Sequence, residues 1–254
     1  NDLLLKKLSG KNILKKSIWK FSKKFFDYCD IIISPSDVIK DELILNKHKS
    51  KIIVVSNGID TKKFSKRIRL KTNFKILYTG RLSHEKNVDI LIKAFPKIVI
   101  KTPKAKMIIV GDGPAINNLK KLAKELNIFE KILFTGKVKR DSILKYYKEC
   151  DIFATASEME VQPLTILEAM SCSLPIVGVN KAGVKGLVKN NINGSLVSSK
   201  NENSIAEKIL AILKNDKLRI KMSKNSRALA LENDLKSSVN KLQKLYSETI
   251  SSKH

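Results

Sequence analysis

From residue 30 onward, short apolar runs alternate with longer stretches whose apolar residues recur every three or four positions. The runs are "DIIISPS" (30–36), "KIIVVSNG" (51–58), "FKILYTG" (74–80), "KMIIVGDG" (106–113), "KILFTG" (131–136), "CDIFATAS" (150–157) and "LPIVGV" (174–179). Most are rich in β-branched residues and closed by Gly, Ser or Pro, as expected of strands buried on both faces. The stretches at 87–101, 115–127 and 140–149 carry helical periodicity. Strands alternating with helices predict an α/β fold, a doubly wound, Rossmann-like parallel sheet. Past residue 200 the pattern is helical only, in segments at about 203–214, 216–230 and 235–250.

One segment breaks the alternation. Residues 62–73, "KKFSKRIRLKTN", are polar and basic with no apolar period, and read as a linker. They divide the chain into a first piece (1–61), a sheet domain (74–225) and a last helix (226–254). The first piece has too few strands for a stable sheet of its own and reads as the end of a second α/β domain. Within it, "KNILKKSIWKFSKKFFDY" (11–28) puts Leu14, Ile18, Phe21, Phe25 and Tyr28 on one helical stripe, with Trp19 beside it. Lys15, Lys16, Lys20, Lys23 and Lys24 lie mostly off the stripe. Such a helix can lie on an anionic membrane, or its stripe can pack on the sheet that follows.

Composition changes this picture in two respects. With 254 residues, 43% hydrophobic and 29% charged, the chain is long and apolar enough for a sizeable core. Its net charge of +26 implies either a polyanionic partner or a lysine-biased surface. A nucleic-acid binder would interleave aromatics with Lys and Arg on an exposed sheet. Here the aromatics fall mainly in apolar runs or in 11–28, so nucleic acid is not the expected partner. Cys29, Cys150 and Cys172 are scattered and His48, His84 and His254 lie far apart, which offers no zinc pattern and fits a reducing compartment. There is no apolar run of membrane-spanning length and no signal-peptide core in "NDLLLKKLSG". The expected location is the cytoplasm, free or peripheral on the inner face of a membrane. The chain starts with Asn1, so its natural start is expected upstream.

Ligands of doubly wound sheets bind at the carboxyl ends of the strands. After "KILYT" come Gly80 and Arg81, then Lys86 near a helix start. The glycine permits close backbone approach, and the two cations suit phosphate oxygens. After "KMIIV" come Gly111, Asp112, Gly113 and Pro114. A third fingerprint glycine would fall at Ile116, so a nicotinamide site is not indicated. In "SEMEVQPLTILEAMSCSLPIVG" (157–178), Pro163 reads as the first residue of a helix over 163–172. Glu160 then precedes the helix and Glu168 lies in its second turn, with Leu164, Leu167 and Met170 toward the sheet. The helix start would hold a phosphate ester between two acceptors. Two acids placed this way suit hydroxyls at two points of an extended ligand better than the single bond a glycosidase cleaves.

Taken together these segments resemble the retaining GT-B glycosyltransferases of family 4, over nearly the whole chain but without the front half of the family. "SNGIDTKKF" (56–64) is similar to its domain-joining Asn-Gly-Val-Asp…Phe segment, and "YTGRLSHEKNVDILIKAF" (78–95) to its Gly-Arg…Lys-Gly…Leu…Ala-Phe element. "IVGDGP" (109–114) resembles its Gly-x-Gly-Pro turn, and "SEMEVQPLTILEAMSCSLPIV" its Glu-x7-Glu motif. The resemblance implies a donor-binding C-terminal domain for a UDP- or GDP-sugar, without a metal, and a last helix (226–254) that crosses back to the acceptor domain. It implies that Arg81 and Lys86 hold the diphosphate and Glu160 the sugar hydroxyls. Glu168 would accept from the ribose, and the Leu164 and Thr165 N–H groups would face phosphate. Gly80, Gly111 and Gly113 would belong to the same donor site. The implied partners are a sugar or lipid acceptor and, for the missing front half, a separate acceptor-domain chain. "EVQPLT" is close to a form found in bacterial glycolipid synthases, which favours a lipid acceptor on an anionic membrane. Val161, Pro163 and Gly186 depart from the family pattern, which has Gly, Gly and Glu there. Without its acceptor domain, the chain would alternatively be a non-catalytic nucleotide-sugar-binding or scaffold module.

Overall fold

The structure, a computed structural model, describes residues 12–45, 48, 50–65, 68 and 72–251. Residues 1–11, His254 and five residues of the expected linker (66, 67 and 69–71) lie outside this set. So do the side chains of Leu14, Lys15, Lys16, Ile18 and Trp19.

Six parallel strands form the main sheet: β3 (Lys75–Thr79), β4 (Lys106–Val110), β5 (Ile132–Phe134), β6 (Ile152–Thr155), β7 (Ile176–Val179) and β8 (Gly194–Val197). Their spatial order is β5-β4-β3-β6-β7-β8. Successive residues of each strand point to opposite faces, and both faces are buried except at the edge strand β5, where Leu133 is 53% exposed. Ile76 and Tyr78, Met107 and Ile109, Ile152 and Ala154, and Val177 and Val179 enter one core. Leu77, Ile108, Val110, Phe153 and Ile176 enter the other. This is why the strands read as continuous apolar runs. The first core is closed by α3 (Val88–Lys101), α4 (Ile116–Glu125) and α8 (Glu202–Leu213). The second is closed by α5 (Leu144–Glu149), α6 (Leu164–Ser171) and α7 (Ala182–Leu187). Helix α9 (Asp216–Leu231) serves both, placing Met222 in the first core and Ala230 in the second.

Ahead of this sheet stand α1 (Asn12–Asp27), β1 (Ile31–Ser34), α2 (Asp37–Leu45) and β2 (Lys51–Val54). β1 and β2 pair in parallel as a separate two-stranded sheet, with Ile31 opposite Lys51 and Ser34 opposite Val54. The described part of the stripe does not lie on the sheet: Phe21 is 75%, Phe25 61% and Tyr28 80% exposed. Phe26 turns inward instead, edge-on to the buried His48 ring at 5.3 Å, and its carbonyl accepts from Ser50 Oγ at 2.7 Å.

The last helix, α10 (Leu235–Ser251), starts against the segment that leaves β2. The Leu235 N–H donates to the Ile59 carbonyl at 3.0 Å, and the Ile59 N–H to the Asn233 carbonyl at 2.9 Å. Thr61 Oγ1 donates to Asp234 Oδ2 at 2.6 Å. Arg227, on α9, holds the same segment, donating from Nη1 to the Thr61 carbonyl at 2.9 Å and the Ser171 carbonyl at 2.8 Å.

Candidate functional site

From β3 the chain winds outward through β4 to β5; from β6 it winds the other way through β7 to β8. β3 and β6 are therefore the topological switch point, and a crevice between their carboxyl ends is dictated by the strand order. Most of the candidate residues stand on the loops around that crevice.

The crevice floor is two interlocked loops. The Gly80 N–H donates to the Val110 carbonyl at 3.0 Å, Leu82 to Asp112 at 2.9 Å, and Ala115 to Leu82 at 2.9 Å. Gly111 makes this possible: at φ +141°, a Cβ there would lie 1.9 Å from the Gly80 carbonyl oxygen. Its missing side chain, like that of Gly113, thus admits a neighbouring protein carbonyl, and what both contribute directly is the shape of the floor. Arg81 projects from this floor, exposed, while its carbonyl accepts from the Tyr78 hydroxyl at 3.2 Å. Burial, and then the charges of Glu160 and Glu85, push the Tyr78 hydroxyl well above the ordinary tyrosine range, so it stays a neutral donor.

Lys86 ends a short turn, His84–Lys86, and Asn87 follows in the left-handed conformation at φ 50°. The Asn87 amide donates to the Ala156 carbonyl at 3.2 Å, tying the loop after β3 to the loop after β6. Across that tie, Lys86 Nζ donates to Glu160 Oε1 at 2.7 Å. The Glu160 loop is fixed from two sides. The Gly183 N–H donates to the Glu160 carbonyl at 2.8 Å, and a Cβ on Gly183 would come within 2.0 Å of the Val161 carbonyl oxygen. Gln162 is buried, its Oε1 accepting from the Asn57 N–H at 2.8 Å and its Nε2 donating to Ser56 Oγ at 3.0 Å.

Helix α6 begins one residue later than expected. Pro163 takes extended backbone (ψ 114°) and is the cap, and Leu164 is the first helical residue. The proline therefore removes none of the first-turn N–H groups of the helix, and as the cap residue it makes no side-chain bond to them. Leu164 is 40% exposed rather than turned to the sheet, whereas Leu167 and Met170 are buried in the second core. Pro163 turns the chain just ahead of Leu164, which leaves the first turn of the helix at the crevice.

Glu168 is buried on the same helix. Its Oε2 accepts from the Tyr147 hydroxyl at 2.7 Å, and its Oε1 lies 3.8 Å from the Arg140 guanidinium. Burial pushes its carboxyl up; the Tyr147 bond and the Arg140 charge act against that. Tyr147 is itself fully buried, 2.7 Å from Thr79 Oγ1. Burial, followed by the Glu168 charge, pushes its hydroxyl well above the ordinary range. Glu160 and Glu168 thus have separate partners, a lysine for one and a tyrosine for the other. This suits two points of attachment rather than one shared proton.

Sequence reasoning did not find Tyr147, Thr79, Arg140, Gln162, Asn87 or Gly183. Asn87 had a signal, as an Asn just before an apolar-periodic stretch. Gly183 had none, because its role depends on a loop 22 positions earlier, at Val161. Among the described residues, no group of three or more His, Cys, Asp and Glu is placed to hold a metal ion.

Residues 59–229 match the family described as Glycosyl transferases group 1, and residues 5–63 match Glycosyltransferase Family 4. An alpha-monoglucosyldiacylglycerol synthase of Streptococcus pneumoniae is 30% identical over 216 residues, 79% of this chain and 48% of that protein. An N-acetyl-alpha-D-glucosaminyl L-malate synthase of Bacillus anthracis is 28% identical, over 80% of this chain and 55% of that one. The chain thus spans about half the length of these curated relatives. Among solved structures, the sucrose-phosphate synthase of Thermosynechococcus elongatus superposes with a TM-score of 0.85 at 19% identity, covering 98% of this chain and 66% of that one. Anabaena HepE in complex with UDP superposes with a TM-score of 0.79 at 22% identity, covering 88% and 65%. These likenesses give the GT-B fold, whose Rossmann-like sheet is the one described above.

Proposed function

The chain belongs to the glycosyl transferases group 1 family, and from that premise we propose that it carries the donor site of a retaining hexosyltransferase using a UDP- or GDP-sugar. The observation that carries the reading is the Lys86–Glu160 pair. It joins the loops of the two switch-point strands at 2.7 Å, beside the start of α6. In this reading Lys86 exchanges Glu160 for the diphosphate when donor arrives, with Arg81 as the second cation. Glu160 is then free for hydroxyls of the sugar, and Glu168 accepts from the ribose. The Leu164 and Thr165 N–H groups and the helix dipole face the phosphate. Catalysis comes from stabilising the charge that builds on the departing nucleoside diphosphate. The acids hold the donor and do not shuttle protons. UDP complexes among the structural neighbours support this assignment of the crevice.

The acceptor is a sugar or a lipid, and the glycolipid synthase among the relatives supports the lipid. Residues 1–61 form the end of an acceptor domain, completed by upstream sequence or by a separate chain; residues 62–73 are the linker. Residues 74–225 are the donor domain, and 226–254 cross back.

Calorimetric titration with UDP-glucose, UDP-N-acetylglucosamine and GDP-mannose tests the site. One of them is expected to bind, and Glu168→Gln is expected to weaken that binding by roughly tenfold or more, since it removes charged acceptor bonds. No binding of any donor would overturn the reading. Transfer of labelled sugar by this chain alone would overturn the need for a completing domain.

A further inference from the structure

Resting on the donor-site reading, we propose that Tyr147 is a positioning residue: it holds one oxygen of Glu168 so that the other faces the ribose, and the site thereby selects the vicinal hydroxyls of a ribonucleotide. The placement of its hydroxyl is over-determined. The ring is fully buried, edge-on to Phe64 at 5.9 Å and stacked near Phe153 at 6.4 Å. From there the oxygen reaches Glu168 Oε2 and Thr79 Oγ1, each at 2.7 Å, and the Thr165 carbonyl at a longer 3.4 Å.

The hydrogen-bond directions follow from chemistry. An ionised carboxylate only accepts, so Tyr147 donates to Glu168. The tyrosine has one proton, so the Thr79 hydroxyl donates to it. The result is a directed chain from β3 through α5 to α6, ending on one carboxylate oxygen. A 2.7 Å bond from O–H to a carboxylate is of the strong, charge-assisted kind. Oε1 remains, on the side of the exposed Arg140. A carboxylate with one oxygen fixed offers the second in a fixed orientation, which is what two adjacent ribose hydroxyls require.

The same bond governs the charge of Glu168. Burial favours its neutral form; Tyr147 and Arg140 oppose this. Cys172 is the other titratable group felt by Tyr147. Once protonated, Glu168 would lose part of its capacity to accept from the sugar. Removing the Tyr147 hydroxyl raises the pH at which that happens.

The test is titration of the full chain with UDP and 2′-deoxy-UDP at several pH values between about 6 and 8, in wild type and Tyr147→Phe, which keeps the ring. Tyr147→Phe is expected to weaken UDP by roughly ten- to a hundredfold while leaving 2′-deoxy-UDP little changed, so that discrimination contracts toward one. In the variant, UDP affinity is also expected to fall as pH falls, more steeply than in wild type. Thr79→Val leaves the tyrosine hydroxyl but removes its donor, and should shift discrimination the same way by less. It carries the test if Tyr147→Phe does not fold. Equal losses for both nucleotides, with discrimination and pH profile as in wild type, would overturn the proposal and leave Tyr147 a packing residue, while the donor site stands. A wild type that binds neither nucleotide, indistinguishable from Glu168→Gln, would overturn the donor-site reading and this inference with it.

Discussion

A methyl group at position 183 has no room. It would meet the Val161 carbonyl oxygen at 2.0 Å and the Glu160 carbonyl oxygen at 2.8 Å, both backbone atoms that no rotamer change can move. Gly183→Ala is therefore expected to cost about 1–3 kcal/mol of stability, as overpacking does. It should also weaken donor binding by displacing Glu160. Thermal melts and donor titration check the two effects, and a variant as stable and as tight as wild type would show that the loop yields freely. Residues of this kind divide what sequence can disclose from what it cannot. Glu160, Glu168, Arg81 and Lys86 stand out in the sequence as candidates because each combines a reactive type with a position at a strand end or helix start. Gly183, Gln162 and Tyr147 act on partners distant in sequence, and nothing local to them marks that.

At the scale of elements, the strands from β1 to β7 were legible as apolar runs, and β8 was not. "GSLV" (Gly194–Val197) lacks such a run because the close approach of β7 forbids it: a Cβ on Gly194 would lie 2.0 Å from the Ile176 carbonyl oxygen. At that position a glycine stands where a branched residue would announce a strand. α1 shows the opposite failure. Its stripe was correctly periodic, yet periodicity does not say what covers it, and Phe21, Phe25 and Tyr28 face outward with Lys20 and Lys24 beside them. Phe21→Ser with Phe25→Ser is expected to leave the melting temperature nearly unchanged, because exposed rings give up little on removal. The pair should weaken sedimentation with phosphatidylglycerol vesicles, and added salt should weaken it further. Vesicle binding equal to wild type would remove the exposed rings of α1 from any membrane-facing surface.

Across the whole molecule, residues far apart in sequence meet where Ile59 and Thr61 contact Asn233, Asp234 and Leu235. The Asp234 carboxyl is held below its ordinary range, first by the Thr61 hydroxyl and then by backbone N–H groups of Lys236, Thr61 and Ser237, against the effect of burial. A carboxyl depressed by folding adds stability that is complete above its unfolded pKa and disappears as pH falls through the folded one. Asp234→Asn should accordingly melt below wild type near neutral pH, and the two curves should converge on acidification toward about pH 3. A constant gap across that range would place the effect in packing rather than in the charge. The sequence disclosed that the last helix follows a sheet domain. The resemblance implied a last helix that crosses back, but its bonds with residues 59–61 were not readable from residue types, because backbone carbonyls and amides supply most of them.

The loops after β3 and β4 have one further consequence. Because Gly80 gives its N–H group to the end of β4, and Leu82 and Ala115 give theirs to the opposite loop, this part of the crevice is complete once the sheet has formed. A ligand that settles there finds its surroundings already ordered, and association escapes the loss of chain entropy that two mobile loops would impose.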